Sequence, residues 1–272
     1  MGTGIASKPI GVFDSGIGGL TVVRALADRL PRERIIYFGD TARVPYGPKS
    51  TDVVRQYAIQ DAAFLATKDV KMIVVACNTV SAVAIEEVKK RYAFRVLGVI
   101  KPGARAAVAA TKNKKVGVIG TVGTIASRAY SNAIRDLDSS IKVISQACPL
   151  FVPLAEEGLA NHPATKLLAN EYLRPLIDQR IDTLVLGCTH YPLLKRTIKK
   201  VVGPEIRLID SAEATALEVE QTLAKKRLLS TDDGVPRHEF YVSDLPHRFR
   251  ELGERFFGEP LKPVTKVDGF PV

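Results

Sequence analysis

Two short stretches decide the fold: VVACNT at residues 74–79 and VLGCTH at residues 185–190. Each begins with an apolar run that predicts a buried strand, and each places a cysteine directly after that run. Hydrogen-bonding residues and then a helical segment follow both cysteines. This repetition predicts a duplicated chain, in which two similar halves contain the same succession of strand, turn and helix.

Short β-branched runs alternate with helical segments along the chain, which predicts parallel sheets covered by helices on both faces. The predicted strands are residues 10–13, 35–38, 72–76, 96–100, 116–119, 141–145, 183–186 and 206–209, with a further candidate at 240–242. The predicted helices have apolar residues three and four positions apart and comprise residues 19–30, 52–67, 81–92, 165–178 and 212–228. We therefore expect an α/β protein with two similar domains, each a mostly parallel sheet flanked by helices.

The length of 272 residues agrees with about two domains. We place the crossing between them near residues 101–103 and the return near residue 210. The first domain would then comprise residues 1–100 plus 210–272, and the second residues 101–209. Ligands in such folds bind outside the carboxyl ends of the strands, so we expect the active site in the cleft between the domains.

The composition, 46% hydrophobic and 25% charged, is that of a globular protein and argues against a disordered or collagen-like chain. The longest apolar stretches run for about five residues, whereas a membrane-spanning helix needs about 20. The beginning of the chain lacks the apolar core of a secretory signal. We expect a cytoplasmic protein with no membrane contact.

The 39 basic and 29 acidic residues give a net charge of +10, which would suit an anionic partner such as nucleic acid. The basic residues, however, are spread in short runs, and no zinc-finger, RNP or helix-turn-helix signature accompanies them. We therefore regard nucleic acid as an unlikely partner and expect a small-molecule substrate.

Cys77, Cys148 and Cys188 are odd in number and far apart, which predicts free thiols rather than disulfides. A helix N-terminus after Cys77 and after Cys188 is expected to lower the pKa of each thiol from about 8.5, so that both exchange protons near neutral pH. Cys148 lacks this strand-to-helix context, and we interpret it as a packing residue. A role as small buried hydrophobes is the alternative for the other two.

Two glycine-containing segments follow the first two predicted strands. The segment DSGIGG at residues 14–19 opens a helix, where backbone N–H groups favour an anion. A dinucleotide-binding turn is one alternative, although the third glycine of that fingerprint is absent, and a purely structural turn is another. The segment GDTARVPYGP at residues 39–48 predicts a rigid loop that either contacts a ligand or simply connects two elements.

Two other chemistries would use the same residues. Cys188, His190 and Cys77 could bind zinc, but no second histidine lies near either strand end, and we expect no metal. A cysteine hydrolase could use Cys188 as nucleophile and His190 as base, which leaves Cys77 without a role.

Taken together, several motifs resemble, in order and spacing, the glutamate racemases of the aspartate/glutamate racemase family, and they do so across nearly the whole chain. They are DSG at 14–16, PYGP at 45–48, CNT at 77–79, KPGAR at 101–105, GT at 120–121 and GCTHYP at 187–192. The resemblance implies a cofactor-independent interconversion of L- and D-glutamate by two thiols on opposite faces of the α-carbon. It also implies supply of D-glutamate for peptidoglycan synthesis, and a homodimer.

The resemblance also implies individual roles. Cys77 would remove the proton from D-glutamate with the help of Asp14, and Cys188 would remove it from L-glutamate with the help of Glu156 and His190. The residues expected to hold the substrate are Asp14, Ser15, Tyr46, Gly47, Asn78, Thr79, Thr121, Thr124, Thr189 and His190. Inversion of one stereocentre by proton transfer needs a base on one face and an acid on the other, which two thiols can supply. Aspartate or hydantoin racemase, and a non-catalytic anion-binding protein, are the alternatives.

Overall fold

The computed structural model describes residues 4–269. Its strands are β1 Ile10–Asp14, β2 Ile35–Gly39, β3 Met72–Val75, β4 Arg95–Gly98, β5 Lys115–Gly120, β6 Lys142–Ala147, β7 Thr183–Gly187, β8 Arg207–Asp210, β9 Glu239–Val242 and β10 Val264–Lys266. They form a six-stranded sheet in the order β10-β9-β2-β1-β3-β4 and a four-stranded sheet in the order β6-β5-β7-β8. All neighbouring strands pair in parallel.

Twelve α-helices connect and cover the two sheets within residues 4–269. They are α1 Leu20–Arg29, α2 Thr51–Ala66, α3 Asn78–Val83, α4 Ile85–Arg91, α5 Ile100–Ala110, α6 Val122–Ala126, α7 Ala129–Leu137, α8 Phe151–Glu156, α9 Pro163–Asp178, α10 Lys195–Val202, α11 Ser211–Lys226 and α12 Pro246–Phe257. The predicted fold class is therefore confirmed: both halves are parallel sheets flanked by helices.

The central strands are buried on both faces, as strands between two layers of helices must be. Every residue of β1, β2, β3 and β7 is buried. Four apolar clusters fill the spaces between sheets and helices, two for each half. This packing fixes the central strands, and with them the positions of the residues that follow their carboxyl ends.

Several predicted boundaries were wrong. The strand predicted over residues 96–100 ends at Gly98, because the apolar run continues directly into helix α5. The helix predicted over 81–92 is two short helices, which meet at Ala84, where the backbone leaves the helical conformation. The helices α5, α6, α7, α8, α10 and α12 and the short strand β10 were not predicted.

The first sheet takes its strands from residues 10–98 and 239–266, and the second takes its strands from residues 115–210. Helix α11, which starts directly after β8 of the second sheet, packs four of its apolar residues into the core between the first sheet and its helices: Ala212, Ala216, Val219 and Leu223. The domain limits of residues 100 and 210 stay a prediction. Within residues 4–269, no helix is both long and apolar enough to cross a bilayer.

Candidate active site

The predicted site residues follow the carboxyl ends of four central strands. Asp14 is the last residue of β1, and Cys77 follows the neighbouring strand β3. In the second sheet, Thr121 follows β5 directly and Cys188 follows its neighbour β7. Because parallel strands end at the same edge of a sheet, each half brings its polar residues together at one edge.

Cys77 caps the N-terminus of α3 and is only 5% exposed. Its body packs in an apolar cluster of the first half, while its Sγ lies 3.7 Å from the hydroxyl of Ser15. The structure therefore brings together two of the predicted site residues that lie 62 positions apart in the chain.

The prediction of a lowered pKa is wrong for Cys77. Burial, reinforced by the nearby carboxyl of Asp14, raises the pKa of the Cys77 thiol to about 12. The backbone N–H of Val80 in α3 and the Ser15 hydroxyl act in the opposite direction, as expected at a helix N-terminus, but burial outweighs them. Cys77 is consequently a protonated thiol at neutral pH, which is the form that donates a proton.

Asp14 is fully buried beside this thiol. One carboxyl oxygen, Oδ2, accepts a hydrogen bond of 3.2 Å from the backbone N–H of Gly16. The other, Oδ1, has no hydrogen-bond partner among residues 4–269. Burial raises the pKa of Asp14, although the charge of His190 and the N–H groups of the following glycine turn lower it. A buried carboxyl oxygen without a partner suits an acid–base group that awaits a ligand.

Cys188 is 5% exposed and begins a chain of acid–base groups in the second half. Its Sγ lies 3.9 Å from Nδ1 of His190, and Nε2 of the same ring lies 2.9 Å from Oε1 of Glu156. The arrangement sulfur, imidazole, carboxylate is one in which the carboxylate orients the ring and stabilises its proton. The structure thus joins the three residues that the resemblance assigned to one proton transfer.

The electrostatics of this chain favour a cationic imidazole. Burial by itself lowers the pKa of His190, but hydrogen bonds to Cys188 and Glu156 and the charges on both raise the pKa to about 10. Burial acts to raise the pKa of Glu156. The hydrogen bond to His190 and the charge of that ring outweigh burial and hold the pKa below its ordinary value. At neutral pH, His190 is therefore protonated beside Cys188, and its charge stabilises negative charge on the sulfur.

Three hydroxyl groups meet where the two halves face each other. The Oγ1 atoms of Thr79 and Thr121 are 3.0 Å apart, those of Thr79 and Thr124 are 3.3 Å apart, and those of Thr121 and Thr124 are 3.0 Å apart. Thr121 also caps helix α6 by accepting the N–H of Thr124. Thr79 comes from the first half and the other two from the second, so the cluster crosses the cleft.

Asn78 lies buried beside the threonine cluster. Its Oδ1 accepts a hydrogen bond of 2.8 Å from the hydroxyl of Tyr130, which fixes the amide. Its Nδ2 has no hydrogen-bond partner among residues 4–269. A buried amide N–H without a hydrogen-bond acceptor costs free energy of folding unless a ligand supplies the acceptor. The Nδ2 group of Asn78 is therefore suited to bind a carboxylate. Tyr130 was not predicted, and no motif in the sequence distinguishes it from a core tyrosine.

The phenol of Tyr46 is bound by two buried carboxyl groups. Its hydroxyl contacts Oδ2 of Asp40 at short range and lies 3.1 Å from Oδ2 of Asp61. Arg43 pairs with both carboxyl groups, at 2.6 Å from Asp40 and 3.0 Å from Asp61. The phenol is thus an anchor for the loop, and any contact of Tyr46 with a ligand would come from its backbone. Sequence reasoning missed Asp40, Arg43 and Asp61 as parts of this anchor.

The anchored loop carries Gly47 to the second half. The carbonyl of Gly47 accepts a hydrogen bond of 3.0 Å from the N–H of Gly123 in α6. A Cβ at Gly47 would lie only 3.0 Å from the Cβ of Thr121, so glycine permits the close approach. This backbone contact sits next to the threonine cluster and holds the two halves together there.

The two cysteines influence each other electrostatically, since charge on Cys188 contributes to the raised pKa of Cys77. The turn after β1 links their surroundings: Ser15 reaches Cys77, and Gly18 packs against Thr189 and His190.

In contrast, Cys148 is fully buried in the core of the second half, which agrees with its interpretation as a packing residue. Within residues 4–269, no group of three or more His, Cys, Asp or Glu residues is arranged to hold a metal ion.

The site defines the class of protein: each of the two α/β halves holds a buried cysteine after the end of a central strand, with a carboxylic acid in its surroundings. The chain belongs to the Asp/Glu/hydantoin racemase family, which its sequence matches over residues 17–219. The resemblance predicted from the motifs is thereby confirmed.

Within this family, several glutamate racemases are similar to the chain over almost its whole length. The glutamate racemase of Syntrophus aciditrophicus is 54% identical over 259 residues, which cover 95% of this chain and 96% of that protein. The crystal structure of the glutamate racemase isoform RacE1 from Bacillus anthracis has a TM-score of 0.93 at 42% identity and covers 96% of this chain and 97% of its own. That of the Francisella tularensis glutamate racemase, in complex with D-glutamate, has a TM-score of 0.91 at 42% identity, with 97% and 98% covered.

Proposed function

We propose that this protein is a glutamate racemase, which interconverts L- and D-glutamate without a cofactor by proton transfer between two thiols, and which supplies D-glutamate for peptidoglycan synthesis. The observation that carries the proposal is the pairing of Cys77 with Asp14 in one half and of Cys188 with His190 and Glu156 in the other. Each thiol has its own acid–base partner, as a reaction that runs in both directions requires.

We assign the removal of the α-proton of L-glutamate to Cys188, whose sulfur lies 3.9 Å from Nδ1 of the protonated His190. The opposite role falls to Cys77, whose thiol carries a proton at neutral pH. The Cys188 thiolate takes the α-proton, and the electron pair of the broken C–H bond moves into the α-carboxylate. Cys77 then donates its proton to the opposite face of the α-carbon, and D-glutamate is formed. In the reverse direction Cys77 must first lose its proton, and Asp14 is the group beside it that can assist.

The hard step is the removal of a weakly acidic α-proton, because negative charge grows on the α-carboxylate as the carbanion forms. Preorganised donors lower the barrier of such a step. We assign this task to the buried amide of Asn78, the hydroxyls of Thr79, Thr121 and Thr189, and the backbone around Ser15 and Gly47. Since both cysteines are nearly buried, we infer that the two halves separate to admit the substrate and close to exclude water.

The length of the substrate side chain distinguishes glutamate from aspartate. The likeness to glutamate racemases over almost the whole chain favours glutamate. We also infer a homodimer and a cytoplasmic location, both on the basis of the family resemblance. Light scattering of the purified protein tests the dimer.

The proposal is tested by circular dichroism of L- and of D-glutamate incubated with the purified protein, with a chelator present and no cofactor added. We expect the signal of either enantiomer to decay to zero, because the two have equal free energy in water. Parallel incubations with L-aspartate and with a hydantoin test the alternatives. An unchanged glutamate signal would contradict the proposal, and decay with aspartate alone would assign the protein to aspartate.

A further inference from the structure

His190 belongs to the second half, but its imidazole packs against two elements of the first half. One is the turn after β1. A Cβ added at Gly18 would lie 2.5 Å from both Nδ1 and Cε1 of His190, and it would also collide with the hydroxyl of Thr189. A Cβ essentially never lies closer than 3.0 Å to another heavy atom, so a side chain at position 18 requires the His190 ring, the Thr189 hydroxyl or the turn itself to shift.

The second element is helix α12. The ring of Phe256 meets the ring of His190 edge to face, with centroids 5.3 Å apart and an interplanar angle of 81°. Phe256 is buried and leaves the imidazole no room on that side. Its neighbour Arg255 donates a hydrogen bond of 3.4 Å to the backbone carbonyl of Glu156. One helix of the first half thus contacts both His190 and Glu156, the imidazole and the carboxylate of the chain that begins at Cys188.

A hydrogen bond fixes the same junction. The hydroxyl of Thr21, at the start of α1, lies 3.0 Å from the carbonyl of Thr189 and 2.9 Å from that of Gly18. This hydroxyl ties the residue before His190 to the glycine turn. The ring is therefore confined by Gly18 and Phe256, and Thr21 fixes the residue before it; none of the three has a part in the proposed proton transfers.

We propose that Gly18 and Phe256 are positioning residues of the first half, which hold the His190 ring at the angle that directs Nδ1 to Cys188 and Nε2 to Glu156. The proposal rests on the proposed racemase activity. It means that the acid–base group of Cys188 is complete only when the two halves are closed on each other. A small displacement of an acid–base group costs on the order of 10²-fold in rate.

The test compares Phe256→Leu with its neighbour Phe257→Leu. Phe257 is also buried in α12, but its ring packs against Phe240 and His238 instead of His190. Both changes remove a similar volume of aromatic packing, so both lower the thermal stability. We expect only Phe256→Leu to lower kcat/KM, on the order of 10- to 100-fold and equally in both directions, because the equilibrium constant of racemisation is one.

The decisive readout is the primary isotope effect with α-deuterated substrate, which a loss of stability alone does not alter. If the Cys188 step becomes slower, the isotope effect rises with deuterated L-glutamate, from which Cys188 takes the label. It falls with deuterated D-glutamate, because the first step, at Cys77, is then no longer limiting. Gly18→Ala is expected to change both effects in the same directions as Phe256→Leu, and Phe257→Leu is expected to leave both at the wild-type values.

The proposal is overturned if folded Phe256→Leu shows the same pair of isotope effects as Phe257→Leu. If Phe256→Leu does not fold, wild-type isotope effects in Gly18→Ala would overturn it equally. An inactive wild-type protein would instead contradict the racemase function itself, so the two failures are distinguishable.

Discussion

Nε2 of His190 lies 2.9 Å from Oε1 of Glu156, although the two residues are 34 positions apart in the chain. The contact joins the turn after β7 to the end of helix α8 and leaves Nδ1 of the ring facing the sulfur of Cys188. Because the ring is buried, its contacts with Cys188 and Glu156 decide both its orientation and its charge. A proton held on His190 at neutral pH follows from this one contact and the neighbouring thiol.

The first prediction concerns Glu156→Gln and the dependence of stability on pH. The folded protein holds the His190 proton up to a pKa of about 10, against an ordinary value of 6.5. A raised pKa in the folded state stabilises the protein fully below the unfolded pKa, and this contribution is lost as the pH rises through the folded pKa. The free energy of unfolding should therefore decline between about pH 6.5 and pH 10 through this group.

Urea unfolding of the wild type and of Glu156→Gln at a series of pH values measures this. Without the carboxylate the pKa of His190 is lower, so we expect the difference in stability between the two proteins to be largest near neutral pH and to shrink as the pH approaches 10. A difference that stays constant over this range would contradict the role of Glu156 in holding the proton on His190.

The second prediction concerns the cysteines. We expect Cys77→Ala and Cys188→Ala each to abolish racemisation, because each removes the only group that transfers a proton on one face of the α-carbon. Both proteins should fold, as judged by circular dichroism in the far ultraviolet. Cys148→Ala serves as the matched control, since it removes a buried thiol from the core and should keep its activity. Wild-type turnover in either of the first two variants would contradict the two roles.

The third prediction concerns the anchor of the loop at residues 39–48. Tyr46→Phe leaves the buried carboxyl groups of Asp40 and Asp61 without the phenol, which should lower the free energy of unfolding by about 1–3 kcal/mol. Because the loop also carries Gly47, we expect KM for glutamate to rise. Tyr57→Phe, whose ring packs beside that of Tyr46, is the control. Equal stability and equal KM in the two variants would contradict the role of Tyr46 as the anchor of the loop.

The fourth prediction concerns the threonine cluster. Thr79→Val keeps the shape of the side chain but removes the hydroxyl that lies 3.0 Å from Thr121 and 3.3 Å from Thr124 across the cleft. We expect kcat/KM for glutamate to fall on the order of tenfold, the loss of about one hydrogen bond to a charged group. Steady-state kinetics in both directions measures it. An unchanged kcat/KM in both directions would contradict the role of the Thr79 hydroxyl as a donor to the substrate carboxylate.

Much of the fold could be predicted from the sequence, because parallel strands that are buried on both faces appear in the sequence as continuous apolar runs. The predicted strands at 10–13, 72–76 and 183–186 correspond to β1, β3 and β7. The helices that were missed are short or contain residues that mask their apolar faces, such as Pro102 and Gly103 in α5. Their formation depends on packing against neighbouring helices and strands, which a local pattern does not show.

The site was predictable only in part. The cysteines and the polar residues after them are visible as motifs, since they follow strand ends directly. The charge state of Cys77 could not be predicted, because the effect of burial on the pKa of the thiol outweighs the effect of the helix N-terminus that the sequence shows. The contacts of His190 with Gly18 and Phe256 could not be predicted either, because they are packing contacts between residues that lie far apart in the chain.

The most direct measurement of the two-thiol mechanism is the position of solvent deuterium early in the reaction. L-glutamate is incubated with the protein in D₂O, and the deuterium content at the α-carbon is determined separately in the product and in the remaining substrate. Two thiols on opposite faces predict deuterium in D-glutamate while the unreacted L-glutamate still carries hydrogen, and the same pattern in mirror image from D-glutamate. Equal deuterium in substrate and product from the first turnovers would show that a single base serves both faces and would contradict the account.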